Sequence, residues 1–213
     1  MTGSILYDNT VPGTYVNTIG SGASILLATG TIISFQVAGG AGTQVGIAAL
    51  RPAGSAGFSA IAASPLTRLS STGISPRIPV SVPFSSGDRV ALNVGDGPSP
   101  SVEGSYGYIA DGGEYRYIIP PLVPGGPPAS GAAALSSEVA YNAVIRFCVV
   151  PNVKGMRLSK ARAALRASDC TPGKVTPKKK KRKGKVVVGL TPEPVSQVSD
   201  TFPIAIHLGK KKH

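Results

Sequence analysis

Tryptophan is missing from the 213 residues, and cysteine, methionine and histidine occur only twice each. The two cysteines, Cys148 and Cys170, with His207 and His213 lack zinc-finger spacing, and neither histidine is well placed to act as a base beside a Ser or Cys nucleophile. The chain also lacks a Gly-x-Ser-x-Gly elbow, a Gly-Lys-[Ser/Thr] phosphate loop and a His-Glu-x-x-His pair. Asp88, Asp96, Glu103, Asp111 and Glu114 are the carboxylates available for glycosidic cleavage or Ca²⁺ binding, yet no spacing fixes a pair among them. The expectation is a protein that is not an enzyme, with no catalytic residue, no cofactor and no metal.

Long apolar runs are equally absent. The nearest approach, residues 25–37, is broken by Thr29, Gly30, Thr31, Ser34 and Gln36, so no transmembrane helix is expected. Residues 1–10 hold neither a basic start nor an apolar core, so a signal peptide is expected to be missing from this chain. With 42% hydrophobic and 15% charged residues the chain is too apolar to stay disordered. Its 27 Gly and 19 Pro disfavour long helices and favour strands and loops.

Positive charge is present in quantity, and it is concentrated. Residues 1–147 hold six Arg, no Lys and seven acids, a balance of −1, whereas residues 148–213 hold 16 Lys or Arg against three acids, a balance of +13. This step predicts two domains, 1–147 and 148–213, the second attractive to polyanions.

The first domain reads as a mostly β structure, an antiparallel β-sandwich of jelly-roll type with six to eight strands. Val139, Tyr141, Ala143, Ile145 and Phe147 alternate with Glu138, Asn142 and Arg146; Ile33, Phe35 and Val37 alternate with Ser34 and Gln36; Val90, Leu92 and Val94 alternate with Ala91 and Asn93. Residues 45–50 and 115–119 supply further strands. Gly39-Gly40, Pro52-Ala53-Gly54, Ser85-Ser86-Gly87-Asp88 and Asp111-Gly112-Gly113 mark turns between them. The Pro/Gly-rich segment 120–131 is expected to be a long loop rather than a linker, because the strand after it needs this sheet as a partner. Tyr106, Tyr108, Tyr115 and Tyr117 are candidates for stacking on sugar rings, against the simpler reading of ordinary strand formers.

In the second domain Leu158, Ala161 and Leu165, with Ala164 beside them, form an apolar helical stripe opposite Lys160, Arg162 and Arg166. Pro172-Gly173 is expected to end this helix, and residues 174–175, 185–188 and 203–208 to supply three strands, giving one helix on a three-stranded sheet. A strand and helix that return to their start bring Cys148 and Cys170 within bridging range, which predicts a disulfide and an oxidising compartment; buried thiols in a cytosolic protein are the competing reading. Lys178, Lys179, Lys180, Lys181, Arg182 and Lys183, with Lys210, Lys211 and Lys212, are the candidate polyanion-binding residues. The competing reading of 178–183 is a solvated hairpin loop, and only Phe202 is available after Phe147 to stack on nucleobases.

Two resemblances follow. The stretches Gly30-Thr31-Ile32-Ile33-Ser34-Phe35-Gln36-Val37, Leu50-Arg51-Pro52-Ala53-Gly54, Ile78-Pro79-Val80 and Ser86-Gly87-Asp88-Arg89-Val90-Ala91-Leu92 resemble a β-sandwich domain of secreted actinobacterial proteins, which implies an adhesion or carbohydrate-binding module. Val150-Pro151-Asn152-Val153-x-Gly155-Met156, Leu158-x-x-Ala161-x-x-x-Leu165, Gly173-Lys174-Val175, Pro192-x-Pro194 and Ile204-x-Ile206-x-Leu208-Gly209-Lys210 are similar to the PASTA domain over residues 149–212. That resemblance implies a small α+β fold and recognition of peptidoglycan fragments. Val195 stands where family members commonly carry Gly. The combined expectation is a monomeric, extracellular or wall-associated protein whose partners are peptidoglycan, anionic wall polymers or other glycans. A nucleic-acid-binding protein is the alternative.

Overall fold

The computed structural model describes residues 5–10, 12–19, 25–96, 104–109, 113–176 and 185–210. Its contacts divide the chain into two compact units, one of residues 1–27 and 32–145, the other of residues 28–31 and 146–213.

The first unit is built on strands β1 (Ile5–Thr10), β2 (Gly13–Ile19), β3 (Gly30–Gly39), β4 (Gln44–Pro52), β5 (Phe58–Ala63), β6 (Thr67–Arg68), β7 (Gly73–Ile74), β8 (Ile78–Phe84), β9 (Arg89–Val94), β10 (Gly104–Ile109), β11 (Glu114–Ile118), β12 (Ala132–Leu135), β13 (Glu138–Val139) and β14 (Tyr141–Arg146). Pairing is nested: β1 lies against β10, β2 against β9, β3 against β8 and β4 against β5. Alternate pairs fall into different sheets, one running β1-β10-β3 with β8 and β14, the other β12-β11-β2-β9-β4-β5. A long antiparallel ribbon folded over in this way is a jelly roll, as the sequence predicts.

The main core lies between the sheets. Tyr15, Ile47, Leu92 and Val94 from one sheet meet Phe35, Val37, Val82 and Phe84 from the other. A second core covers the opposite face of the β2-β9-β4-β5 sheet, where Val16, Ala48, Leu50, Phe58, Ala60, Ala91 and Ile118 pack with Leu122 and Ala129. Leu122 and Ala129 belong to segment 120–131, which is fixed to β5 by paired bonds, Phe58 N–H to Ala129 O at 3.0 Å and Ala129 N–H to Phe58 O at 2.9 Å. Strand β9 is therefore buried on both faces, and its small and apolar residues satisfy both cores.

Turn chemistry secures the ends of the strands. In the 85–88 turn Gly87 takes φ 90°, a conformation open to glycine without a steric penalty. Asp88, only 1% exposed, accepts the Ser85 N–H at 2.7 Å and both Arg51 donors, Nε at 2.9 Å and Nη2 at 3.1 Å. Those hydrogen bonds, and then the carboxylate charge, raise the Arg51 guanidinium above its ordinary pKa.

Several expectations are corrected. The described residues of this unit hold fourteen strand segments rather than six to eight. The two-residue strands β6, β7 and β13 are too short to show alternation, and β1 and β2 precede the alternating runs. The run from Glu138 is two strands, not one. Ala140 interrupts it, donating to Gly107 O and accepting from Ala38 N–H, so the alternation restarts. Glu138 is consequently buried, and Ile145 lies exposed beyond Ala143. In β3 strict alternation holds only from Phe35 to Val37; Ile32 is fully buried and Ile33 half-buried.

The second unit holds β15 (Cys148–Val149), α1 (Leu158–Ala167), β16 (Thr171–Thr176), β17 (Val186–Thr191), β18 (Gln197–Val198) and β19 (Pro203–Gly209). Strand β19 is central, parallel to β16 and antiparallel to β17, while β15 and β18 form a separate two-stranded sheet. Ile204, Ile206 and Leu208 turn inward against Ala161 and Leu165 of the helix, with Leu158 and Ala164 packed at its margin. The helix stops earlier than expected. Ser168 caps it, Asp169 takes φ 53°, and Cys170 donates its N–H to Leu165 O, so Pro172 and Gly173 lie inside β16. Cys148 and Cys170 form a disulfide with Cα atoms 4.8 Å apart, both side chains inside this core.

Candidate functional site

The first turn of the small unit is fastened to β17. Asn152 Oδ1 accepts the Lys154 N–H at 3.2 Å, which tightens the turn after Pro151. Gly155 then donates to Val187 O at 2.8 Å, and Val187 donates to Met156 O at 2.9 Å. A second tether joins Val150 to the 193–196 turn, through Val150 N–H to Ser196 O at 2.9 Å and Val195 N–H to Val150 O at 2.8 Å. Between the tethers lies a groove of about 280 Å³ with Val153, Val187 and Leu190 in its floor. Lys154 and Glu193 also line it, both exposed, and neither joins an ion pair among the described residues. An ammonium and a carboxylate thus remain available across an apolar floor. That arrangement suits a ligand carrying both charges, such as a short peptide.

Val195 occupies the turn at φ 70° and is 78% exposed. A β-branched residue in the left-handed region is strained by about 1–2 kcal/mol, and this one gains little burial in return. Val195→Gly is expected to stabilise the unit by about 1 kcal/mol in urea unfolding. A loss of stability would show that the side chain is held by packing.

His207 lies on the face of β19 turned away from the helix. Its Nδ1 meets Thr176 Oγ1 and its Nε2 meets Thr191 Oγ1, each at 2.8 Å. Hydroxyls donate or accept as the imidazole tautomer requires, so both ring nitrogens are engaged by neighbouring strands. Lys174 and Lys210 are exposed near this face and Lys185 is half-buried. Thr176 pairs with His207 and Val186 with Gly209, so the described residues on either side of segment 177–184 meet at the Lys210 end of the sheet. Lys178, Lys179, Lys180, Lys181, Arg182, Lys183, Lys211 and Lys212 lie outside the described residues.

The tyrosines are distributed over two sheets. Tyr106 and Tyr108 are on β10, Tyr115 and Tyr117 on β11. Tyr108 and Tyr115 pack against the inter-sheet core, and Tyr115 sits 6.2 Å from Tyr15 and 6.5 Å from Tyr117 between ring centroids. Tyr117, 36% exposed, presents the most open ring of these three. Among the carboxylates, Asp88 is taken by Arg51, and Glu114 by Thr18 and Arg116. Glu103 and Asp111 lie outside the described residues. Among the described residues no three His, Cys, Asp or Glu side chains gather as a metal site.

The order of strand, turn, basic helix, bridged Cys170 and three-stranded sheet is now complete. Residues 149–210 match the PASTA domain family. No curated protein and no solved structure matches the chain significantly. The PASTA domain is associated with peptidoglycan and cell-wall binding, and together with the Cys148–Cys170 disulfide it points to an extracellular or wall location. Among the described residues no helix is long and apolar enough to cross a membrane. Within the PASTA domain, Lys154 and Glu193 escape sequence reading because they lie far apart in the chain and neither belongs to a chemical motif; only the turn that closes on β17 relates them.

Proposed function

We propose that this chain is a non-enzymatic, wall-associated protein whose PASTA domain binds peptidoglycan or anionic wall polymers, and whose jelly roll is an adhesion or carbohydrate-binding module. The match at residues 149–210 carries the reading. Two features of the domain support it: the groove with Lys154 and Glu193 on its walls, and the +13 balance of residues 148–213. A stem peptide offers a terminal carboxylate for Lys154 and an amine for Glu193, while wall polymers rich in phosphate or carboxylate suit Lys178 to Lys183 and Lys210 to Lys212.

The test is binding of the full chain to purified muropeptides followed by calorimetry. Lys154→Met and Glu193→Gln are each expected to weaken binding about five- to tenfold, the usual effect of one exposed charge-assisted contact. Both residues are exposed, so the fold is retained. Unchanged affinity in both variants would remove the groove from the reading. Equal competition by DNA and muropeptide would favour a nucleic-acid-binding protein instead.

A further inference from the structure

Two asparagines are buried in the jelly roll, and they are treated differently. Asn17, 2% exposed, is fully used: its Nδ2 donates to Val139 O at 3.1 Å and its Oδ1 accepts the Val139 N–H at 2.8 Å. Asn93, 7% exposed, is used by half. Its Oδ1 accepts the Thr14 hydroxyl at 2.7 Å, and that hydroxyl in turn accepts the Leu122 N–H at 2.8 Å. This relay orients the amide and leaves Nδ2 with no hydrogen-bond partner among the described residues. A sealed amide donor without an acceptor would be costly, and Nδ2 is not among the buried side-chain atoms that lack a partner, so it meets solvent and stays free to donate.

The space beside Asn93 is where that donor is reached. On β2 its cross-strand neighbour is Thr14, and on β4 it is Gly46, which has no side chain to cover the amide. A groove of about 360 Å³ opens there, lined by Leu66, Val94, Pro121, Leu122 and Val123 together with Asn93. No charged side chain lines it. Leu66 and Val123, 47% and 63% exposed, stand at its rims. Ser64 is the other polar side chain in the lining, and its hydroxyl is engaged, accepting the Ile47 N–H at 3.0 Å and donating to Pro65 O at 3.0 Å. A concave, mostly apolar wall with one uncommitted polar group is a usual form of a small-molecule site, and this volume lies at the small end of the usual range of about 300–1,000 Å³.

The geometry points to a binding site for a small, uncharged, apolar molecule carrying one hydrogen-bond acceptor, such as a ketone, ester or amide carbonyl, which takes the Asn93 Nδ2 proton. The absence of charge on the walls excludes ionic ligands, whose desolvation nothing would offset. With the Ser64 hydroxyl proton given to Pro65 O, Asn93 Nδ2 is the one uncommitted side-chain donor in the lining, which sets the acceptor count at one. The site is independent of the PASTA domain, and its failure would leave the wall-binding reading untouched.

A matched pair of probes tests it. In nitrogen- and carbon-edited NMR titrations of the full chain, acetophenone is expected to shift the Asn93 side-chain amide resonances to saturation, with the Leu66 and Leu122 methyls moving in step. Ethylbenzene, which lacks the carbonyl, is expected to bind about tenfold more weakly. Asn93→Leu is expected to abolish the preference for the ketone. If that variant fails to fold, Val123→Asp at the exposed rim leaves Asn93 in place and is expected to weaken acetophenone at least fivefold. Equal binding of the two probes, or an Asn93 amide unmoved by acetophenone up to its solubility limit, would overturn the assignment and leave Asn93 hydrated by solvent.

Discussion

The double variant Cys148→Ser, Cys170→Ser will lower the stability of the PASTA domain by about 3 kcal/mol, the chain-entropy value for a bridge that spans 22 residues. Domains of this size commonly hold only about 3–10 kcal/mol in total, so the loss removes a large fraction of the whole. Two features add to it. Both cysteines are buried, at 0% and 3% exposure, and serine leaves a hydroxyl among Val150, Leu165 and Ile204. Hydrogen exchange at Ile204 and Ile206 in the full chain, with and without reductant, measures the effect at the central strand. Protection unchanged on reduction would show that the hydrophobic contacts of α1 suffice, and would remove the reason for an oxidising compartment.

Polyanion binding should respond just as strongly to salt. A site that neutralises six phosphates releases their counterions with a logarithmic slope near −5, which makes DNA binding about 10³-fold weaker at 200 mM than at 50 mM salt. Replacing Lys178, Lys179, Lys180, Lys181, Arg182 and Lys183 with Gln is expected to flatten that slope by most of this amount. Fluorescence anisotropy with a labelled duplex reads it directly. Retention on bare peptidoglycan sacculi is expected to survive both the salt series and the Gln substitutions, because the Lys154 and Glu193 contacts draw on side chains that the substitutions leave in place. If retention on sacculi collapses in parallel with DNA binding, the domain is a polycation without wall specificity.

Much of the architecture was legible because it rests on local periodicity. The inward Ile204, Ile206 and Leu208 and the Leu158, Ala161 and Leu165 stripe are visible as period-two and helical patterns, and both face the core they predict. The Ser85 to Asp88 turn was readable from its Gly and Asp. Relations set by tertiary contact were not. Glu138 looks like an outward strand residue until Ala140 breaks the run, and Val90 to Val94 look one-sided until segment 120–131 covers the second face of the sheet. The same limit applies to both grooves. Lys154 and Glu193 share a groove, and Thr14 bonds Asn93, only through contacts between segments distant in the chain, and an isolated Asn in a β pattern carries no signal of the bond it lacks.

The nested ribbon also sets a timetable for assembly. Its innermost pair is almost local, with Leu50 opposite Ala60, while its outermost pair sets Ile5 opposite Ile109. Loop-closure entropy rises with the length enclosed, so pairing is cheapest at the β4-β5 hairpin and dearest at β1. In a chain made from its amino terminus, β1 precedes the other strands of this ribbon yet waits for β10 before it has a partner. The sandwich closes from its middle outward, and the first strand of the ribbon to be made is the last to be secured.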